Sequence, residues 1–148
     1  MNKVRITKEF NFEMAHALDM YDGKCANIHG HSYKLFVTLI GIPVCDITHP
    51  KNGMVMDFAD LKTIVKEQII DVYDHGLVLY KKSEYLQNKT HSAYKVIVSD
   101  YNPTCENLLL DFAKKIEPLL PSGIELHSLK LVETATSYAE WFKSDNLH

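Results

Sequence analysis

Three histidines near the start of the chain form the pattern with the clearest chemical meaning. His29 and His31 flank a glycine in the segment CANIHGH at residues 25–31. Residues two apart in an extended strand point to the same face, so both imidazoles can converge on one ion. His16 ends an earlier strand-like segment and can supply a third imidazole if the two strands are antiparallel neighbours. Three neutral nitrogen ligands suit Zn²⁺ and leave its fourth position open, which is typical of a catalytic site.

A purely structural interpretation of the same residues stays open at this point. In that interpretation the His-Gly-His tripeptide is a turn, and His16 is a half-buried histidine with ordinary hydrogen bonds. Asp74-His75 would cap a helix end, and Glu133 would be a solvent-facing residue at a strand end. The remaining histidines have no partner at ligand spacing; they are His49, His91, His127 and His148.

The three histidines require two neighbouring strands, and the surrounding sequence predicts both. Residues 4–13 alternate polar and apolar side chains, as expected of a half-buried strand. Residues 31–42 are rich in aromatic and β-branched side chains. We predict that the two segments pair as a hairpin across the long loop that contains Cys25. A final core strand is predicted at residues 126–132, directly before Glu133.

Two amphipathic helices are predicted between these strands. The first has Asp57 as its N-cap and apolar residues at spacings of three and four, and Gly76 is expected to end it. The second has Thr104 as its N-cap. Residues 77–97 contain a polar stretch and are interpreted as a loop with a short strand at its end. The order β-β-α-(β)-α-β predicts an α+β domain with an antiparallel sheet and helices on one face.

Composition and charge restrict the classes of protein to which the chain can belong. The 148 residues are about the size of one domain, so a single domain is expected over residues 1–148. The formal net charge is −3, and no run of like charges indicates binding to nucleic acid or to an anionic membrane. We expect a cytoplasmic location, because no apolar segment has the length of a signal peptide or a membrane span. The three cysteines form no CxxC pair, which disfavours a disulfide framework.

Five motifs in a fixed order resemble the 6-pyruvoyl-tetrahydropterin synthase superfamily, and together they cover nearly the whole chain. In chain order they are FEMAH (12–16) with CANIHGH (25–31), GMVMDFADLK (53–62), DH (74–75), NPTCEN (102–107) and ET (133–134). The three-residue interval between Cys25 and His29 is typical of the bacterial 6-carboxytetrahydropterin synthases of queuosine biosynthesis. The animal pyruvoyl enzymes have a longer interval, and a branch that serves folate synthesis has Glu in place of the cysteine.

The resemblance implies a role for individual residues of these motifs. Cys25 would be the catalytic base, since a thiol near a metal ion and an imidazole can be held as thiolate. Glu133 would hold the aminopyrimidinone edge of a pterin by accepting two N–H bonds. The full set implied by the resemblance is His16, His29 and His31 for zinc; Cys25, Asp74 and His75 for catalysis; and Glu133, Glu106 and Thr104 for substrate binding.

The resemblance also implies a fold, an assembly and a reaction. The fold is the tunnelling fold (T-fold), a four-stranded antiparallel sheet with two helices on one face. Copies join into a barrel, commonly a homohexamer with sites at subunit interfaces. The substrate would be 7,8-dihydroneopterin triphosphate, and the products 6-carboxy-5,6,7,8-tetrahydropterin, acetaldehyde and triphosphate. Two alternatives remain: the 6-pyruvoyl-tetrahydropterin synthase reaction, which lacks carbon–carbon cleavage, and a non-catalytic zinc or pterin-binding module.

Overall fold

The alternating residues at the start of the chain form a long antiparallel hairpin. β1 spans Val4–His16 and β2 spans His29–Gly41. Their register places His16 opposite His29, at the end of the hairpin that is joined by the loop. The predicted hairpin is therefore confirmed, and both strands extend further toward the loop than the sequence pattern indicated.

Six strands form one sheet in the computed structural model, which describes residues 1–87 and 95–148. The four strands outside the hairpin are β3 (Gly76–Tyr80), β4 (Val96–Ser99), β5 (Ile124–Thr134) and β6 (Ser137–Phe142). The order of the strands across the sheet is β4-β3-β1-β2-β5-β6. β1, β2, β5 and β6 pair antiparallel, whereas β3 pairs parallel with both β1 and β4.

The mixed sheet corrects one expectation and confirms another. The α+β class is confirmed, but the predicted four-stranded antiparallel sheet is wrong, because β3 and β4 add a parallel edge. Residues 77–97 were interpreted as a loop with a short strand at its end: β4 confirms that strand, whereas β3 occupies the start of the segment and was not predicted. Residues 88–94 of the segment are outside the described ranges. The β3 sequence GLVLY is continuously apolar and buried at four of five positions, as is typical of a parallel strand between two neighbours.

The helices pack on one face of the sheet. α1 spans Phe58–Val65 and continues through a π-helical turn at Lys66–Ile70 into α2 at Asp71–Tyr73, while α3 spans Cys105–Ile116. No helix in the described part of the chain has the length and hydrophobicity that a membrane crossing requires. Short 3₁₀ turns occur at Lys24–Ala26, Glu84–Gln87, Glu117–Leu119 and Lys143–Asn146.

The first helical segment begins at its predicted N-cap but does not end at the predicted residue. The Asp57 carboxylate accepts a hydrogen bond from Ala59 N at 2.8 Å, which confirms the first N-cap. The expected stop at Gly76 is wrong: Asp74 already has an extended backbone, and His75 takes the left-handed conformation with φ of 58°. Glycine at position 76 leaves space for its neighbours: a Cβ there would lie 2.3 Å from Ile97 Cδ1 on β4 and 3.0 Å from the Tyr73 carbonyl oxygen, so these atoms would have to shift.

The main core lies between the helices and one face of the hairpin. Phe12 of β1 stacks on Tyr33 of β2 with 5.2 Å between ring centroids, and Phe112 of α3 meets Phe12 edge-on. All three side chains are almost fully buried. Because side chains alternate along a strand, this same face carries the three histidines at the end of the hairpin. The packed core therefore supports the histidines from one side.

Candidate metal centre and active site

Strand alternation brings the three predicted histidines into contact. The ring centroid of His16 lies 4.6 Å from that of His29 and 5.2 Å from that of His31. The rings of His29 and His31 are 4.9 Å apart, nearly perpendicular to each other. The Nε2 atoms of His16 and His29 are separated by 3.1 Å. The convergence predicted from the His-x-His spacing is present.

Backbone carbonyls fix the orientation of two of these rings. His16 Nδ1 lies 2.7 Å from the carbonyl oxygen of Pro103, and His29 Nδ1 lies 2.7 Å from that of Asn27. A carbonyl only accepts, so each Nδ1 carries the proton and each neutral ring presents an unprotonated Nε2. The two Nε2 lone pairs face each other, which is unfavourable unless a cation lies between them. A carbonyl acceptor on the far ring nitrogen is typical of metal-binding histidines.

A carboxylate joins the histidines, and the sequence pattern did not assign it there. Glu133 Oε1 lies 3.0 Å from His31 Nε2 and 3.6 Å from His16 Nε2. Glu133 follows Val132, the last residue of β5 that pairs with β2. Period-two alternation places Glu133 on the face of Leu131, which is buried in the core. The alternation along β5 can be recognised in the sequence. Only the pairing of β5 with β2, however, shows that this face of β5 lies beside the histidines.

The geometry of the four side chains fits a divalent metal ion such as zinc. Their ligand atoms all lie within 4.8 Å of one another. Tetrahedral ligands about 2.0–2.2 Å from zinc are roughly 3.3 Å from each other. Three of the six separations, at 3.0, 3.1 and 3.6 Å, lie close to that value. His31 Nε2 is also buried without a hydrogen-bond partner in the described ranges, as expected of an atom that binds an ion.

Burial keeps two of these histidines in the form that binds metal. Desolvation lowers the pKa of His16 to about 4. Desolvation also lowers the pKa of His31, although the Glu133 carboxylate acts in the opposite direction. His16 is only 1% exposed. Both rings are therefore neutral near pH 7, and a neutral imidazole is the metal-binding form.

We expect the metal-free protein to lose stability as the pH falls from about 6.5 to about 4. His16 titrates near 6.5 in the unfolded chain and near 4 in the folded chain, so between these values the unfolded state binds more protons. Above this window His16 is neutral in both states and has no effect. The full loss is on the order of 3 kcal/mol. Urea unfolding of the metal-free protein across this pH range measures it, and an equally large loss in His16→Gln would contradict the assignment.

Cys25 lies in the loop that joins the two histidine-bearing strands. It occupies the 3₁₀ turn Lys24–Ala26, and its backbone oxygen accepts a hydrogen bond from Leu18 N at 3.0 Å. Its side chain is partly buried. The four candidate ligands found in the described residues are His16, His29, His31 and Glu133, and we refer to them as the ligand group. The Cys25 thiol is not one of them. A role as base rather than as metal ligand stays a prediction.

Asp74 and His75 form a dyad that is anchored to β1. Asp74 Oδ2 lies 3.0 Å from His75 Nδ1, and Asp74 Oδ1 accepts a hydrogen bond from Glu13 N at 2.9 Å. The Glu13 hydrogen bond is the main cause that lowers the pKa of Asp74. His75 N donates to the Glu13 carbonyl at 2.6 Å, and the His75 side chain is 78% exposed. The dyad lies outside the ligand group, but His75 and His31 line one open cavity of about 350 Å³.

Thr104 and Glu106 lie at the start of α3. The Thr104 hydroxyl accepts a hydrogen bond from Asn107 N at 3.2 Å, which confirms the second N-cap. Glu106 is exposed and lines a cavity of about 290 Å³ with Trp141. Glu106 is not part of the ligand group. The helix start is nevertheless tied to the histidines, because the Pro103 carbonyl is the acceptor for His16.

Two buried polar groups beside the histidines were not assigned from the sequence. The Tyr33 hydroxyl is buried and has no hydrogen-bond partner in the described part of the chain. Its ring lies 5.5 Å from the ring of His31. The Cys105 thiol donates to the Leu131 carbonyl at 3.3 Å, and burial raises its pKa to about 12. Tyr33 follows His29 and His31 at period two, which is the signal that places it there.

The other histidines that the structure describes do not join the centre. His49 is exposed, and its Nδ1 accepts a hydrogen bond from Lys51 N at 3.0 Å. His127 contacts the Ser128 hydroxyl at 3.1 Å. His91 lies outside the described residues.

Known proteins with similar sequences agree with the superfamily that the five motifs indicate. Over 145 residues the chain is 37% identical to the 6-carboxy-5,6,7,8-tetrahydropterin synthase of Haemophilus influenzae, covering 93% of this chain and 97% of that protein. It is 34% identical over 137 residues to the protein of the same name from Synechocystis sp., with 93% and 92% covered.

Solved structures show a shared fold. An uncharacterized protein from Wolinella succinogenes superposes with a TM-score of 0.81 at 19% identity, covering 97% of this chain and 99% of that one. The 6-pyruvoyl tetrahydropterin synthase of Caenorhabditis elegans superposes with a TM-score of 0.66 at 25% identity, with 96% of each chain covered.

The family model described as 6-pyruvoyl tetrahydropterin synthase matches residues 5–144. The likeness therefore extends over the hairpin, the helices and the histidine centre alike, and the chain is an enzyme of the 6-pyruvoyl tetrahydropterin synthase family, with its T-fold.

Proposed function

We propose that this enzyme is a zinc-dependent 6-carboxy-5,6,7,8-tetrahydropterin synthase of queuosine and 7-deazapurine biosynthesis. It would convert 7,8-dihydroneopterin triphosphate to 6-carboxy-5,6,7,8-tetrahydropterin, acetaldehyde and triphosphate. The observation that carries the proposal is the convergence of His16, His29 and His31 on one point. The names of the Haemophilus influenzae and Synechocystis sp. relatives support the reaction. The short interval between Cys25 and His29 favours the same branch.

In this proposal, different residues carry out different parts of the reaction. A bound zinc ion would supply Lewis-acid polarisation of the substrate's side-chain hydroxyls. Cys25 removes a proton from the carbon skeleton of that side chain. Asp74 holds the His75 imidazole through the 3.0 Å contact, so that the imidazole is positioned to transfer a proton. The depressed pKa of Asp74 keeps its carboxylate ionised for this purpose.

We further propose that the enzyme is a homo-oligomer, expected to be a hexamer, with each site shared between chains. The dyad lies outside the ligand group of its own chain, and the His75 side chain is 78% exposed. It can therefore face the Cys25 loop of a neighbouring copy. β4 and β6 are the outermost strands of the sheet that the structure describes. Their unpaired backbone edges are templates for pairing with other copies.

In this proposal, the substrate is bound by Glu133, Glu106 and Thr104. Carboxylates bind the N–H groups of the pterin edge with paired, charge-assisted hydrogen bonds. Glu106 is exposed at the start of α3 and available for such contacts. The Thr104 hydroxyl caps the helix by accepting one bond, so its proton stays free to donate to a ligand.

Product analysis tests the reaction directly. We expect the zinc-loaded protein, incubated with 7,8-dihydroneopterin triphosphate, to release 6-carboxy-5,6,7,8-tetrahydropterin, acetaldehyde and triphosphate, identified by mass spectrometry. Metal-stripped protein is the matched control. Formation of 6-pyruvoyl-tetrahydropterin without acetaldehyde would assign the alternative reaction of the family. A protein that binds the substrate without releasing triphosphate would be a binding module.

A further inference from the structure

We propose that Lys95 is a positioning residue that fixes the peptide group between Asp74 and His75 (the dyad peptide), and with it the geometry of the dyad. This inference rests on the catalytic role proposed for Asp74 and His75. It goes beyond that role, because Lys95 lies in none of the five motifs. Lys95 acts on the backbone that carries the dyad rather than on the substrate.

The backbone at the dyad has a conformation that needs support. His75 has a φ of 58°, and Met20 is the one other non-glycine residue with a positive φ in the described ranges. A side chain makes the left-handed region unfavourable, so such residues persist only where their surroundings determine the backbone, often at active sites. Asp74, directly before His75, has an extended backbone at the end of α2. The chain therefore turns sharply at the two residues proposed for proton transfer.

Both ends of the dyad peptide are held by hydrogen bonds. Its N–H belongs to His75 and donates to the Glu13 carbonyl of β1 at 2.6 Å. Its carbonyl belongs to Asp74 and accepts a hydrogen bond from Lys95 Nζ at 3.0 Å. Because a peptide group is planar, its orientation determines ψ of Asp74 and φ of His75 together. The two contacts at opposite ends of the group thus maintain the left-handed conformation of His75.

The same ammonium group also satisfies the end of the helix. Lys95 Nζ donates to the Asp71 carbonyl at 2.8 Å. The last carbonyls of a helix have no partner within it and carry the negative end of its dipole, so a cation there is favourable. An ammonium has three N–H donors and can hold both carbonyls at once. One side chain therefore joins the final helical turn to the dyad peptide.

The parallel edge of the sheet places Lys95 beside the dyad. The Lys95 carbonyl accepts a hydrogen bond from Leu77 N at 2.8 Å, and β4 pairs with β3 from Val96 onward. A Cβ at Gly76 would lie 3.6 Å from the Lys95 carbonyl oxygen and 2.3 Å from Ile97 Cδ1. The absence of a side chain at Gly76 thus allows the two strands to approach closely. In this proposal, β3 and β4 serve to bring an ammonium group to the end of the helix.

The end of the helix is fixed separately, through α3. The Tyr73 hydroxyl donates to Asp111 Oδ2 at 2.9 Å and accepts a hydrogen bond from Lys115 Nζ at 2.8 Å. The Tyr73 side chain is buried. The end of α2 therefore stays in place when Lys95 is replaced, whereas the dyad peptide can rotate and displace the imidazole.

The test uses the whole protein, loaded with zinc, and compares wild type with Lys95→Met, Lys95→Arg and Lys81→Met. Methionine keeps the apolar stem of the side chain and removes the donors, whereas arginine keeps a cation with several donors. Lys81→Met is the matched control. Lys81 and Asp100 form an ion pair of 2.9 Å at the other end of the same two strands.

Two measurements are expected to change in Lys95→Met. Hydrogen exchange in the fragment that covers residues 72–78, followed by mass spectrometry, should be about ten-fold faster, because loss of a bond from a charged donor makes local opening about that much more frequent. The kcat should fall by about 10–100-fold with little change in KM, since a displacement of about 1 Å costs up to about 100-fold. Lys95→Arg should recover most of both losses, and Lys81→Met should match wild type.

Three results would overturn the proposal. Unchanged exchange at residues 72–78 in Lys95→Met would show that Lys95 does not fix the dyad peptide, even if kcat falls. Faster exchange with the kcat of wild type would show that the reaction does not depend on this peptide. Faster exchange along the whole chain, with a lower melting temperature, would show a role in overall stability instead.

Failure of the proposed function gives a different result from failure of this inference. If wild type forms no product, the reaction assignment is wrong, while exchange at residues 72–78 still decides whether Lys95 fixes the dyad peptide. If wild type forms the expected product and Lys95→Met matches it in both measurements, only the inference about Lys95 is wrong. Lys95→Gln, whose shorter side chain carries no charge, replaces Lys95→Met if that variant does not fold.

Discussion

His29→Ala is expected to abolish zinc binding at the concentrations at which the wild-type protein is fully loaded. His29 supplies an Nε2 held 3.1 Å from that of His16, with its orientation fixed by the Asn27 carbonyl. Its removal takes away one ligand and leaves the His16 nitrogen facing empty space. Because loss of even an outer contact costs about 10–100-fold in metal affinity, loss of a ligand costs at least that much. Metal analysis after dialysis against a weak chelator measures the change.

His49→Ala is the matched control for the histidine substitution. His49 is exposed in the loop before α1 and is not part of the ligand group. We expect this variant to retain wild-type zinc content and melting temperature. Full zinc occupancy in a folded His29→Ala protein would show that the ligand assignment is wrong.

Cys25→Ala is expected to keep zinc and fold but to lose nearly all turnover. The thiol lies outside the ligand group, so its removal leaves the four ligand atoms in place. Loss of a positioned base typically lowers the rate by about 10²–10⁴-fold. Product formation measured at saturating substrate, with zinc content determined on the same sample, provides the measurement. Loss of the metal together with activity would instead make Cys25 a ligand.

The other two cysteines serve as controls for this substitution. Cys45 is exposed, and we expect Cys45→Ala to be fully active. Cys105 is buried and donates to the Leu131 carbonyl, so Cys105→Ala should be active but less stable by about 1 kcal/mol. Turnover that depended on either of these thiols would show that the single-thiol assignment is wrong.

The histidine centre was predictable because its geometry is local. His29 and His31 are two residues apart on one strand, and the antiparallel hairpin places His16 opposite His29. Period-two alternation and a single strand pairing therefore bring three of the four candidate ligands together. Glu133 was assigned to substrate alone, because its distance from His31 depends on the pairing of β5 with β2, which joins distant parts of the sequence. Such register is set by packing of the whole sheet, and no local pattern encodes it.

β3, the inner strand of the parallel edge, was missed for a related reason. β3 is a five-residue apolar run, and its polar neighbours at residues 81–84 give a loop-like context. Short apolar runs do not distinguish strand, helix and loop by periodicity. The stop of the first helical segment was assigned to Gly76 because glycine favours the left-handed conformation, but His75 adopts it. The hydrogen bond from His75 N to the Glu13 carbonyl helps to hold the backbone there, and that contact is again non-local.

The wide separation of the metal ligands along the chain has a consequence for biosynthesis. The hairpin histidines are translated early, whereas the Pro103 carbonyl that orients His16, and Glu133 itself, are translated late. A nascent chain on the ribosome therefore lacks both the orienting acceptor and the carboxylate. If this group holds a metal ion, as we propose, the ion would be captured only after β5 is complete, and it would stabilise the chains that have finished folding. The supply of that metal would then affect how much of the newly made protein survives proteolysis.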